Sequence, residues 1–108
     1  MENVDMWGNL RGEPYKLIEE TREENTVKIF IYRADALFYY GYQLKVGTLI
    51  RQRAANIGAP AYKSEGAARE AAGKEIKIIC DGNKNSKKYF EDFTQIRYSE
   101  YDLFGGLI

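Results

Sequence analysis

Residues 27–46 read VKIFIYRADALFYYGYQLKV, and these residues decide the fold. Val27, Ile29 and Ile31 alternate with Lys28, Phe30 and Tyr32, the period-two pattern of a strand with one face buried. After Asp35-Ala36, a connection short enough for a hairpin, the alternation resumes. Phe38, Tyr40, Tyr42, Leu44 and Val46 fall on one face, and Leu37, Tyr39, Gly41, Gln43 and Lys45 on the other. β-Branched and aromatic residues dominate both runs, and they suit a pleated, half-buried surface.

Upstream, Tyr15 to Thr21 (YKLIEET) alternates more weakly and reads as a half-buried strand, with Glu23-Glu24-Asn25 as the turn into Val27–Arg33. Downstream, Thr48 to Tyr62 shows no clear period. Gly58 and Pro60 argue against a helix through its end, and a fourth strand fits around Leu49 to Arg53. Ser64 is a good helix N-cap and Glu65 suits a first turn. Ala68, Ala71, Ala72, Ile76 and Ile79 then share a helical face whose small side chains suit close packing on a sheet. Gly73 weakens that helix, and Asp81-Gly82-Asn83 ends it. Ser86 is the expected cap of a second helix, with Phe90, Phe93 and Ile96 as its buried stripe.

The fold class expected is therefore α+β: a three- to four-stranded antiparallel sheet, one helix packed on it, and a second, C-terminal helix. The expected organisation is a flexible N-terminal arm over 1–13 with Trp7 as its one anchor, a single domain over 14–97, and a tail over 98–108. At 108 residues, with 44% hydrophobic and 30% charged, the chain suits one ordinary globular core. No signal segment is visible, and no apolar run nears the ~18 residues that span a bilayer, so the expected location is cytoplasmic, with no membrane partner.

The chemistry expected is sparse. Histidine is absent, which removes the commonest general base and metal ligand. The single cysteine, Cys80, ends an apolar helical stripe and reads as a small buried hydrophobe rather than a nucleophile. One cysteine without histidine makes no thiolate or imidazole zinc site, and no phosphate-cradling glycine loop is present. Acids adjacent in a strand, such as Glu19-Glu20, point to opposite faces and make poor acid–base pairs. The expectation is a protein that is not an enzyme, with no cofactor and no metal.

Binding is the remaining class. The net charge is zero, but residues 1–26 carry seven acids and three bases, residues 27–63 six bases and one acid, and residues 64–108 eight acids and seven bases. The basic third is also the aromatic one. Lys45, Arg51, Arg53 and Lys63, with Phe30, Tyr32 and Tyr39, are the candidate nucleic-acid-binding residues, since sheet aromatics stack on bases and cations neutralise phosphates. Against this, an overall pI near 6.3 is unlike that of a basic binding domain. The competing expectation is a protein–protein module, a homodimer among its forms, that uses the aromatic sheet face and an apolar tail.

Two resemblances bear on this choice. Glu100-Tyr101-Asp102-Leu103-Phe104 resembles the bacterial sliding-clamp-binding motif, whose usual form is Gln-Leu-Ser/Asp-Leu-Phe. Asp102, Leu103 and Phe104 match; Glu100 stands for glutamine and Tyr101 for leucine. The resemblance implies a protein partner that takes Tyr101, Asp102, Leu103 and Phe104 into an apolar pocket. The alternative is a tail packed on its own domain or on a second copy. The run Phe38-Tyr39-Tyr40-Gly41-Tyr42, followed by Tyr62 to Ala72 (YKSEGAAREAA), looks like small proteins of phages and integrated mobile elements, which carry an aromatic strand and an Ala-rich helix start. That likeness implies an accessory role near nucleic acid or a DNA-processing complex.

Overall fold

The structure, a computed structural model, describes residues 4–91 and Phe93. It is α+β. Four strands, β1 (Lys16–Arg22), β2 (Asn25–Ala34), β3 (Leu37–Val46) and β4 (Leu49–Arg53), are followed by α1 (Glu65–Asp81) and the short α2 (Lys84–Phe90). The strands form one antiparallel meander in the order β1-β2-β3-β4. Each hairpin turns in two residues, and the first of each pair has positive φ: Glu23 at 55°, Asp35 at 58° and Gly47 at 64°. Such turns match the right-handed twist of the flanking strands. Only Gly47 reaches this region without a side-chain penalty.

The alternation in residues 27–46 sorts the two faces as expected. Ile18, Val27, Ile29, Ile31, Tyr40, Tyr42, Leu44, Val46 and Leu49 are buried with Ala68, Ala72, Ile76 and Cys80 of α1 and with Phe90 and Phe93. α1 lies across β2 and β3, and its alanines allow the close approach. Ser64 caps it by accepting from the Ala67 N–H at 3.1 Å. Lys16 of β1 pairs with Glu65 in its first turn at 2.6 Å. The buried stripe also takes in Gly73 and Cys80, while Ala71 and Ile79 flank it half-buried.

Four expectations are corrected. β1 begins at Lys16, and Tyr15 instead sets its half-exposed ring edge-on to Phe38, with centroids 5.2 Å apart. Ser86 does not cap α2. Asn83 does, accepting from the Ser86 N–H at 3.1 Å, while the fully buried Ser86 hydroxyl donates to the Val46 carbonyl at 2.6 Å. Both residue types favour caps, and only the docking of α2 against the end of β3 decides which does so. The arm is anchored by Leu10 rather than Trp7: Leu10 is buried, and Trp7 is 73% exposed. α2 ends at Phe90, so Phe93 is buried beyond the helix rather than on its stripe, and Ile96 lies outside the described residues.

Candidate functional site

Among the described residues, helix covers only one face of the sheet. The opposite, open face follows from the register as rows across the strands. Leu17 pairs with Phe30, and Phe30 with Gly41. Glu19, Lys28, Gln43 and Gln52 form a second row, and Thr21, Thr26, Lys45 and Ile50 a third. At the other end Tyr32 pairs with Tyr39. An antiparallel sheet tolerates one solvated face when polar side chains dominate it, and here Leu17, Phe30 and Ile50 interrupt the polar pattern.

Two segments cross part of this face. After Arg53 the chain leaves the edge of the sheet, passes over β3 at Gly41, and returns at Tyr62, which exchanges backbone hydrogen bonds with Phe38 at 2.8 and 2.9 Å. Gly41 permits the crossing. A Cβ there would lie 2.6 Å from the Arg53 carbonyl oxygen and 2.8 Å from the Ala55 nitrogen. The N-terminal arm then locks onto the crossing segment, with the Leu10 N–H donating to the Ala55 carbonyl at 2.8 Å and Asn9 bridging to Asn56. The Tyr32 hydroxyl donates to the Gly12 carbonyl at 3.2 Å. Leu10, Ala34, Tyr39 and Ala55 form a second small core under this cover.

Between the cover and the bare rows lies an open groove of about 570 Å³. Phe30 and Gly41 form its floor, and Arg11, Tyr32, Gln43 and Gln52 stand among its walls. An apolar floor with a few convergent polar groups is the usual make-up of a binding cleft.

The seven candidate nucleic-acid-binding residues do not share one surface. Phe30, Tyr32 and Lys45 belong to the open face, and Phe30 and Tyr32 are half-buried there. Tyr39 belongs to it too, but at 8% exposure it lies beneath the arm. Arg51 and Arg53 share a face with each other, opposite Leu44 and Tyr42, and that is the helix-covered face. Lys63 is exposed in the loop before α1. The tail candidates Tyr101, Asp102, Leu103 and Phe104 lie outside the described residues.

Arg53 is also engaged. Its guanidinium donates to Glu75 at 2.6 Å and to the Tyr40 hydroxyl at 3.2 Å, and it stacks 4.8 Å from the centre of the Tyr40 ring. Tyr40 and Tyr42 each donate a hydroxyl to a different oxygen of the Glu75 carboxylate. Burial raises the pKa of both phenols, and the hydrogen bond to Glu75 and its charge raise them further, with Arg53 opposing. Tyr42 is pushed up to about 12, and Tyr40 moves in the same direction. Phenols held protonated so far above neutrality are unsuited to proton transfer near pH 7. The cluster works as a clamp between α1 and β3–β4.

The sequence reading passed over Glu75. Its signal is visible in retrospect: it lies three residues after Ala72, on the edge of the apolar stripe, where a carboxylate needs partners, and Tyr40 and Tyr42 have hydroxyls to offer. Cys80 is buried, and burial, with Asp81 adding its charge, pushes its thiol up to about 11. Among the described residues no group of three or more metal-ligating side chains converges, and no helix is long and apolar enough to cross a membrane. No protein-family model, curated protein or solved structure matches the chain.

Proposed function

We propose that this chain is a non-enzymatic protein-interaction module, an accessory protein of a phage or mobile element, that binds its partner through the open sheet face. The observation that carries the proposal is the groove over Gly41. Three separate segments build it: the arm, the strands and the 53–55 crossing. Its floor is apolar, its walls carry amides and an arginine, Arg11, already paired with Asp5, and Leu17 and Ile50 extend apolar surface beyond it. Side-chain amides with aliphatic and aromatic surface suit a protein partner, a second copy included, better than a phosphate backbone.

A second function, single-stranded nucleic-acid binding, is favoured by one observation: the exposed Lys45 lies on the same face as Phe30 and Tyr32. The rest of the basic set works against it, because Arg51 and Arg53 face the other way and Arg53 is paired with Glu75.

Sedimentation across a concentration series, beside titration of a labelled single-stranded oligonucleotide at ~50 mM salt, separates the two. The protein-module proposal expects self-association that Phe30→Ser abolishes in a folded variant, and no oligonucleotide binding. A monomer at every concentration that binds the oligonucleotide, loses it with salt, and loses it with Lys45→Glu would replace the first proposal with the second.

A further inference from the structure

We infer that the free edge of β4, with the adjoining groove against α1, is a docking site for an extended segment of a partner protein whose side chains run acidic–apolar–apolar. This site meets the open-face groove at Gln52 and the open face at Ile50, but it is built from the outer backbone edge of β4 and the side chains on its helix side, away from Phe30 and Gly41.

β4 is an edge strand. Among the described residues its only sheet neighbour is β3, and no backbone hydrogen bond among them reaches its outer side. The two-residue turn Gly47-Thr48 is closed by the pair Val46–Leu49, so the alternation of antiparallel pairing directs the backbone of Leu49, Arg51 and Arg53 inward to β3. Ile50 and Gln52 are left with N–H and C=O groups pointing outward, the template on which an added strand forms.

The two edges of the sheet differ in how they are guarded. β1 carries Lys16, Glu19, Glu20 and Arg22 along seven residues, the charged edge that deters pairing. β4 has an isoleucine, Ile50, at its second position that is 74% exposed. A second isoleucine, Ile78 on the outer side of α1, is 70% exposed. The two straddle the edge. Ile50 faces the open side of the sheet, and Ile78 lines a groove of about 440 Å³ on the helix side, with Leu49, Arg51, Ile79 and Asn83. A strand added to β4 would place alternate side chains on these two sides and cover both.

The charge in the groove sets the order of those side chains. Arg51 is exposed and makes no ion pair among the described residues, whereas the neighbouring Arg53 is bound to Glu75. On a strand added antiparallel to β4, the helix-side position opposite Arg51 comes two residues before the one opposite Leu49. An acid belongs at the first. An apolar residue belongs at the second, between Leu49 and Ile78. The residue between them faces Ile50 and is apolar as well.

The test is titration of the full chain with a synthetic peptide in which Asp-Val-Leu is set in a Ser/Thr host, followed by amide NMR and hydrogen exchange. Binding is expected to slow exchange at the Ile50 and Gln52 amides at least tenfold. Arg51→Glu should weaken the Asp peptide at least tenfold and restore binding to a Lys-Val-Leu peptide. Ile78→Lys should weaken both, and Phe30→Ser on the open face should change neither, which keeps this site distinct from the open-face proposal. The inference is overturned if the peptide leaves the Ile50 and Gln52 amides unprotected, or if the charge swap does not reverse the preference. It is also overturned if these amides are already protected in a dimer that Ile50→Lys dissociates, since the edge is then taken by a second copy.

Discussion

Replacing Glu75 with alanine is expected to destabilise the domain by about 2–3 kcal/mol. The carboxylate accepts from the Tyr40 and Tyr42 hydroxyls and from Arg53, all between α1 and the sheet. Hydrogen bonds to a charged group contribute about 1.5–3 kcal/mol each when fully buried, and roughly 1 kcal/mol each is appropriate where water reaches the edge of the cluster. The Arg53 pair is about a third exposed on both side chains, so solvent screening limits it to under about 1 kcal/mol. Alanine regains a few tenths of a kcal/mol in helix propensity. A domain of this size loses about 4–8 °C per kcal/mol, so thermal unfolding followed by circular dichroism should move down by about 10–20 °C. Lys74→Ala, one residue away and exposed, is the control and should stay within ~0.5 kcal/mol of wild type. A second readout is independent of stability: in Glu75→Gln, titration of the tyrosinate absorbance should show Tyr42 ionising closer to its ordinary value, because the raising charge is gone. If Glu75→Ala melts with wild type, or the tyrosine titration does not move in Glu75→Gln, the three donors do not depend on this acceptor and the clamp is refuted.

Gly41→Ala should cost at least about 1–3 kcal/mol, because the added methyl meets backbone rather than a movable side chain, and it should speed amide exchange at Leu10, whose partner sits on the displaced segment. Ser86→Ala removes the buried donor to the Val46 carbonyl and is expected to lower urea-unfolding stability by about 1–2 kcal/mol with the helix content retained. The Cys80 thiol, buried and raised to about 11, should react with an aromatic disulfide reagent at pH 8 only as fast as the domain opens, and at once in denaturant; rapid reaction of the folded protein would contradict its placement. In alkali, the folded state holds the Tyr42 proton up to about 12 while the unfolded chain releases it near 10, so stability should be complete below pH ~10 and fall as pH rises toward 12, with Tyr42→Phe showing a shallower fall.

The strands were legible because burial on one face imposes period two, and residues 27–46 keep that period on both sides of the Asp35-Ala36 turn. The bounds of β3 and β4 and the two-residue Asp35-Ala36 turn match the expectation. The start of α1 was legible because Ser64 and Glu65 satisfy a local need, the unpaired N–H groups of the first turn. The candidate site was legible only in part. Alternation told which residues share a face, so Arg51 with Arg53, and Phe30 with Tyr32, were grouped correctly. It did not tell which face the helix would take for β4, and that split the basic set in two.

By itself, then, the sequence determined the element types, the meander and the apolar face, because these depend on spacings within one segment. Three things were decided only by the tertiary structure. Gly41 is needed because residues 53–55 cross over it, from more than ten positions away. Glu75 binds two tyrosines and an arginine because α1 brings it over β3 and β4. Ser86 gives its hydroxyl to Val46 rather than to its own helix because α2 docks there. In each case the partner is distant in the chain, and no local propensity encodes a contact that exists only once the layers have packed.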